Sequence, residues 1–264
     1  MPGKPTGLLP DNQLAPISGN RMDQFIRNKP AKSLAFFESE PHVCSYLPEE
    51  MSTSLFADPS VQMTNRMYER LINYGFRRSG SYVYTPSCSQ CNACQSVRLP
   101  IERFKPSRSQ RRAWEQNNDL TVIRKLAAYE QEHFELYRHY IHMRHTGSSM
   151  ENPSPLEYMN FLNSAWSETY FYEFRKDDKL IAVAVADKLS SGLSAVYTYY
   201  DPAEAKRSLG KYAILYLIHE SSTQNLNWLF LGYWIDGCQK MQYKTEYQPA
   251  EIFSNGSWKP LPHR

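Results

Sequence analysis

No stretch of this chain approaches the ~20 consecutive apolar residues that a membrane-spanning helix needs, so a helical membrane protein is not expected. Met1 to Asn20 lacks the apolar core of a secretion signal and is rich in Pro, Gly and polar residues. A flexible leader over residues 1–22 on a cytoplasmic protein is the expectation. A dominant charge of one sign is missing too: 30 Lys and Arg stand against 27 Asp and Glu, a balance of +3. That total is too small to argue for nucleic-acid binding, which must rest on how charge is distributed. Internal repeats and low-complexity tracts are absent. Cysteine is scarce, with five residues, and only Cys238 lies outside the first 94 positions. In a reducing compartment so few cysteines seldom form a disulfide framework, and close spacing points instead to metal, cluster or redox chemistry. What remains is ordinary for a soluble globular chain: 264 residues, 41% hydrophobic and 22% charged, enough for two modest domains.

Cys88-Ser-Gln-Cys91-Asn-Ala-Cys94 is compact enough to chelate one ion, and Cys44 is the available fourth ligand for a tetrahedral Zn²⁺ or an iron–sulfur centre. A tight, metal-free turn is the competing reading. Asp58-Pro59 is expected to open a helix that Gly75 closes. The turn after it, Gly75-Phe-Arg77-Arg78-Ser79-Gly80, presents two adjacent guanidinium groups suited to bidentate recognition of a carboxylate or phosphate. Residues 103–112 hold five basic residues and no acid, a pattern that suits the phosphates of RNA, with Phe104 and Trp114 placed to stack on a base. The alternative is the solvated face of an ordinary helix start. His133, His139, His142 and His145 crowd one helix, but no carboxylate pattern in the sequence supports a metal site there.

The second half alternates strands and helices. A strand, Ala195 to Tyr200, ends at Asp201-Pro202, and Arg207-Ser-Leu-Gly210-Lys-Tyr212 then opens an apolar helix. This is similar to the phosphate-holding loop of the GNAT acyltransferases, in which backbone N–H groups at a helix start face a pyrophosphate. Tyr212 stands where those enzymes carry Gly or Ala, and its bulk is expected to keep coenzyme A out. Asp201 is the candidate general base, with a turn role as the alternative. The fold expected is mixed α+β, with an acyltransferase-like C-terminal domain over 129–264 behind a cysteine-containing N-terminal domain over 23–128. Two readings are open at this point: an acyl-CoA N-acyltransferase, and a non-catalytic metal- and RNA-binding module.

Seven motifs occur in order across residues 35–260. They are His-Val-Cys44-Ser-Tyr-Leu, the Gly75 to Gly80 turn, Tyr-x-Pro86-x-Cys88-x₂-Cys91-x-Ala-Cys94 and Phe104-x-Pro-x-Arg108-Ser-Gln-Arg111-Arg112, then Tyr197-x-Tyr199-x-Asp201-Pro202, Arg207-Ser-Leu-Gly210 and Leu-Gly232-Tyr-Trp234-Ile-x₂-Cys238-x-Lys240-Met-x-Tyr243-Lys244. Together they resemble the arginyl-tRNA–protein transferase family, in its bacterial aspartate/glutamate leucyltransferase branch. The resemblance implies transfer of leucine from leucyl-tRNA to the α-amine of proteins beginning with Asp or Glu, which creates a degradation signal. It implies no membrane or DNA partner. An arginyl-tRNA donor is the alternative within the family. Arg77 and Arg78 are then expected to bind the acidic acceptor residue. Arg108, Arg111, Arg112, Arg207, Lys240 and Lys244 are expected on the tRNA, and Tyr197 and Tyr199 at the donor amino acid. No cofactor is required for transfer. Zinc or a cluster on Cys44, Cys88, Cys91 and Cys94 stays open, since eukaryotic members carry a second cysteine close to the first and this chain does not.

Overall fold

The structure, a computed structural model, describes residues 5–8, 34–144 and 152–262. Of the expected leader only Pro5–Leu8, a short strand, lies within the described residues; the rest of 1–22, and His145, lie outside them. The chain divides into two compact units. The smaller takes the residues up to Met63 with Tyr82–Asn92, and the larger takes Thr64–Ser81 and everything from Ala93 on.

In the smaller unit Pro5–Leu8 pairs with Ala35–Glu38, which pairs with Ser54–Ala57, which pairs with Tyr82–Pro86, all antiparallel. Phe36, Ala57 and Val83 form its buried side. A two-residue ladder, His42–Val43 with Met51–Ser52, carries Cys44 just beyond it. Asp58 does not open a helix. Its carboxylate accepts from the Ser60 amide at 2.8 Å, closing a local turn.

In the larger unit α1 runs Asn65–Asn73, with Thr64 as N-cap accepting from the Met67 amide. The buried stripe Tyr68, Leu71, Ile72 accounts for the later start, because that spacing is in phase with a cap at Thr64. Gly75 ends the helix as expected. Eight strands make one sheet: β1 (Gln95–Pro100), β2 (Thr121–Leu126), β3 (Glu168–Lys176), β4 (Lys179–Lys188), β5 (Gly192–Tyr200), β6 (Trp228–Trp234), β7 (Glu251–Ser254) and β8 (Ser257–Pro260), in the order β8-β7-β1-β6-β5-β4-β3-β2. Every neighbouring pair is antiparallel except β5 and β6. Parallel neighbours need a crossover, and α5 (Leu209–Thr223) supplies it. This is the strand–loop–helix–strand unit expected of an acyltransferase-like half, in a mixed α+β fold.

The sheet is covered on both faces, and β4 shows why. Its residues alternate between Ala182, Ala184 and Ala186 in one core and Val183 and Val185 in the other. The alanine side shares its core with α5 and with Ala113 of α2 (Arg108–Glu115), where the rings of Tyr172, Phe174 and Tyr212 are buried. The valine side meets α3 (Gln131–Arg144) and α4 (Pro155–Leu162) through Phe134, Tyr137, Ile141, Tyr158 and Leu162. Period-2 alternation with small residues opposite rings fills both layers. No domain boundary appears at 128/129. β1 lies between β6 and β7, so residues on both sides of that point share one sheet. Among the described residues no helix is long and apolar enough to cross a membrane.

Candidate active site

Arg77 and Arg78 lie on a short strand, Arg77–Ser79. Adjacent strand residues point to opposite sides, and these two meet opposite fates. Arg78 has a side chain 1% exposed and forms a fork with the fully buried carboxylate of Asp187, Nε to Oδ2 at 2.6 Å and Nη2 to Oδ1 at 2.5 Å. It also donates to the carbonyls of Gly80 and Leu162 and to the Thr169 hydroxyl. Asp187 holds the Arg78 charge in place despite burial, so the guanidinium titrates above its ordinary range. Gly80 is required for this knot. It sits at φ +56, and a Cβ there would stand 2.1 Å from the Asn160 carbonyl oxygen. The acceptor role expected of Arg78 is therefore corrected: its donors are consumed inside the fold.

Arg77 is nearly as buried but carries no such partner. Nη2 donates to the Ala195 carbonyl at 2.6 Å, while Nη1 is buried without a hydrogen-bond partner among the described residues. Beside it is Lys244, 6% exposed, which donates a short hydrogen bond to the Tyr233 carbonyl. The two cations converge over Gly232. A Cβ on that residue would lie 3.6 Å from Lys244 Nζ and 3.8 and 3.9 Å from Arg77 Nη2 and Nε. Gly232 has φ +82 and sits where the β6–β1 register shifts, so the backbone bulges here and both cations approach it closely. Burial, with Arg77 adding to it and Cys238 opposing, pushes the Lys244 ammonium down to about 7. Neither cation forms an ion pair with a described carboxylate. Tyr68 completes the surroundings. It is wholly buried, its hydroxyl lies 3.3 Å from Ser194 Oγ, and the Arg77 charge moderates the burial that raises its pKa. Such an arrangement favours an anion, because an unpaired buried donor costs about 1–3 kcal/mol and a buried charge more.

The N-terminal family model of arginine-tRNA–protein transferases matches residues 42–112, and the C-terminal model matches 132–254. An aspartate/glutamate leucyltransferase of Hahella chejuensis is 49% identical over 227 residues, covering 86% of this chain and 97% of its own length. One from Pseudomonas putida is 50% identical over 228 residues with the same coverage. The chain belongs to the arginine-tRNA–protein transferase family. It is a transferase. Among solved structures, L-PGS from Bacillus licheniformis matches at TM-score 0.46 and 10% identity, over 64% of this chain and 58% of that one.

The other residues read from the sequence as transferase machinery divide sharply. Arg108, Arg111 and Arg112 are exposed on α2, and Lys240 is exposed as well. α2 is a rigid support for them, since Ser107 and Gln110 close a capping box and Gln110 Nε2 donates to the Glu246 carbonyl at 3.0 Å. Lys244 is not on that surface but in the buried pair, a correction to its expected phosphate role. Arg207 is also corrected. It forks onto Asp119 at 2.8 Å, bonds Glu204, and donates to the Gln116 carbonyl, so it ties the loop before α5 to the chain beyond α2. Tyr199 is fully buried, bonded to the Tyr158 hydroxyl at 2.7 Å, and belongs to the core. Tyr197 is half-buried against Phe161 and Tyr140. Tyr212 does not occlude the start of α5, because its ring turns into the core against Phe174 and Trp114.

Asp201 is a turn residue. Burial raises its pKa, but the hydrogen bonds from Lys179 at 2.9 Å and from the Ala203 amide hold it below the usual carboxylate range. A carboxylate so held is a weak proton acceptor, which corrects its expected role as base. The four candidate metal cysteines, Cys44, Cys88, Cys91 and Cys94, are all of intermediate exposure, and Cys88 Sγ lies 3.7 Å from the Thr53 carbonyl. Of the smaller unit's thiols, Cys44, Cys88 and Cys91 form no set with ligand atoms within 4.8 Å of one another. The set that does converge among the described residues is Glu130, His133 and Glu173. There Lys125 and Arg175 each sit 2.6 Å from the buried Glu173, and with His133 they outweigh burial and hold its carboxyl at about 2. Cations already fill the role a metal would take. Sequence reading missed Asp187, Gly232 and Tyr68; only Gly232 stood inside a motif, and nothing in the sequence set it opposite Arg77.

Proposed function

We propose that this chain moves leucine from leucyl-tRNA to the α-amine of proteins whose first residue is Asp or Glu, and that Arg77 and Lys244 receive that residue's side-chain carboxylate. The observation that carries the proposal is the buried pair of cations facing the space over Gly232 with no carboxylate partner among the described residues. An acidic side chain satisfies both. An amide or alkyl side chain leaves them unpaired, at a cost of about 1–3 kcal/mol for each lost hydrogen bond to a buried group. The names of the relatives point the same way. The leucine so added marks the acceptor for proteolysis in the cytoplasm.

The chemistry is aminolysis of an activated ester. The neutral α-amine attacks the leucyl carbonyl carbon and a C–N bond forms. The C–O bond to the terminal ribose breaks, and the proton leaving the amine ends on the ribose hydroxyl. The amine's pKa lies near ~8, so a useful fraction is neutral without a strong base. Anchoring the acceptor side chain raises the effective concentration of that amine at the ester, which supplies most of the acceleration. Half-buried Tyr197, with Phe161 beside it, offers an apolar wall to the leucyl side chain. No step runs through the cysteines. The test is transfer of radiolabelled leucine or arginine from charged tRNA to peptides beginning Asp, Glu, Arg or Ala. Leucine moves to the Asp and Glu peptides alone; transfer of neither amino acid, by protein purified with or without oxygen, sinks the proposal.

A further inference from the structure

The larger unit has a concavity that shares no residue with the Arg77–Lys244 pair. A cavity of about 450 Å³ opens between α2 and α5. Its floor is apolar, made by Leu215 and Ile218. Two rings on its walls are fixed from behind. Trp114 stacks on Tyr216 at 6.4 Å with an interplanar angle of 11°, and Phe104 stacks on Tyr247 at 6.4 Å and 29°. Trp114 is only half-buried, so one part of the indole still faces the cavity. The rim carries Arg111, His219 and one acid, Glu115.

The surroundings are cationic. Arg103, Lys105, Arg108, Arg111 and Arg112 are all exposed, and of these only Arg103 reaches a described carboxylate, Glu251 at 3.9 Å. A flat aromatic slot bordered by unneutralised arginines matches one kind of ligand, an unstacked heterocyclic base on a phosphate chain. A lipid or an apolar peptide would fill the slot but leave the cations unused.

We propose that this cavity holds one unstacked nucleobase of the RNA substrate, with Trp114 and Phe104 as its stacking walls and Arg108, Arg111 and Arg112 on the flanking phosphates. The proposal rests on the reading of the chain as an aminoacyl-tRNA user. Glu115 is placed to accept from a base that carries an exocyclic amino group. The base contact supplies registration and the arginines supply charge, so the two contributions separate in their salt dependence.

The experiment measures binding of deacylated tRNA at several salt concentrations, a readout independent of transfer. Trp114→Leu weakens binding about 10- to 100-fold at every salt concentration, as expected for one lost stack, and Trp114→Phe retains most of the affinity. Trp114 packs on Tyr212 and Tyr216, so Trp114→Leu alone is open to a folding defect. Ser222 is exposed at the rim, and Ser222→Trp plugs the cavity without touching the core, with the same loss expected. Arg111→Ala instead lowers the slope of log K against log salt by about 1. Tight binding by both Trp114→Leu and Ser222→Trp, equal to the unaltered protein, overturns the pocket assignment alone. Failure of the unaltered protein to bind tRNA overturns the reading beneath it.

Discussion

Two neighbouring arginines show how far a single residue can be read from a sequence. Arg77-Arg78 is legible as a recognition motif, but which one recognises is not. Strand geometry sends them apart, and the partner that captures Arg78 lies 109 residues away at Asp187. Arg78→Met removes one half of a buried ion pair and strands the other, so stability falls by about 3–5 kcal/mol, measurable by denaturant unfolding. The family resemblance assigns Lys244 to the tRNA together with Lys240. It is instead buried beside Gly232 and Arg77, a placement no local pattern signals. With its pKa at about 7 against an ordinary ~10.4, Lys244 is charged only below about pH 7 in the free protein. Acceptor affinity is therefore strongest between the acceptor carboxylate's pKa, ~4, and that point, and begins to weaken as pH rises past it. Stability runs the other way. Between about 7 and ~10.4 the unfolded chain binds the proton that the folded chain has released, so stability rises with pH in that window. Lys244→Met removes both trends, which peptide KM against pH and melting temperature against pH report separately.

At the scale of elements, the strands and helices of the second half were legible because their periodicities are clean, as in the alternating Ala and Val of β4. The Arg207-x-x-Gly210 motif spans the start of α5, as expected, with Ser208 at its N-cap and Gly210 in its first turn. Its chemistry is not the expected one, since Arg207 is spent on Asp119 and Glu204 and Tyr212 on the core. The start of α1 was misplaced because Asp58-Pro59 has the same local grammar as a helix start, and only the buried stripe at Tyr68, Leu71 and Ile72 decides for Thr64. The basic run over 103–112 became half a helix whose orientation depends on its cap. Ser107→Ala breaks the capping box and costs about 1 kcal/mol. The urea midpoint falls accordingly, and tRNA affinity falls with it, because the arginines of α2 lose a fixed support.

At the scale of the whole molecule, fold class was legible and domain division was not. The family models part between residues 112 and 132, close to the expected boundary, yet β1 from the front of the chain sits inside the sheet built by the back. Such long-range pairing is set by the tertiary fold and leaves no local trace. The same holds for the candidate site, which draws Arg77, Gly232 and Lys244 from three separate segments. The account's central claim is that this assembled cation pair selects the acceptor. The measurement that tests it most directly is the ratio of kcat/KM for otherwise identical peptides beginning Asp and Asn, with leucyl-tRNA saturating, in the unaltered protein and in Arg77→Met. The unaltered protein favours Asp by about 10- to 100-fold, the worth of a lost charged hydrogen bond, while Arg77→Met brings the ratio close to unity and keeps its melting temperature. A folded Arg77→Met protein with the Asp preference intact would contradict the account.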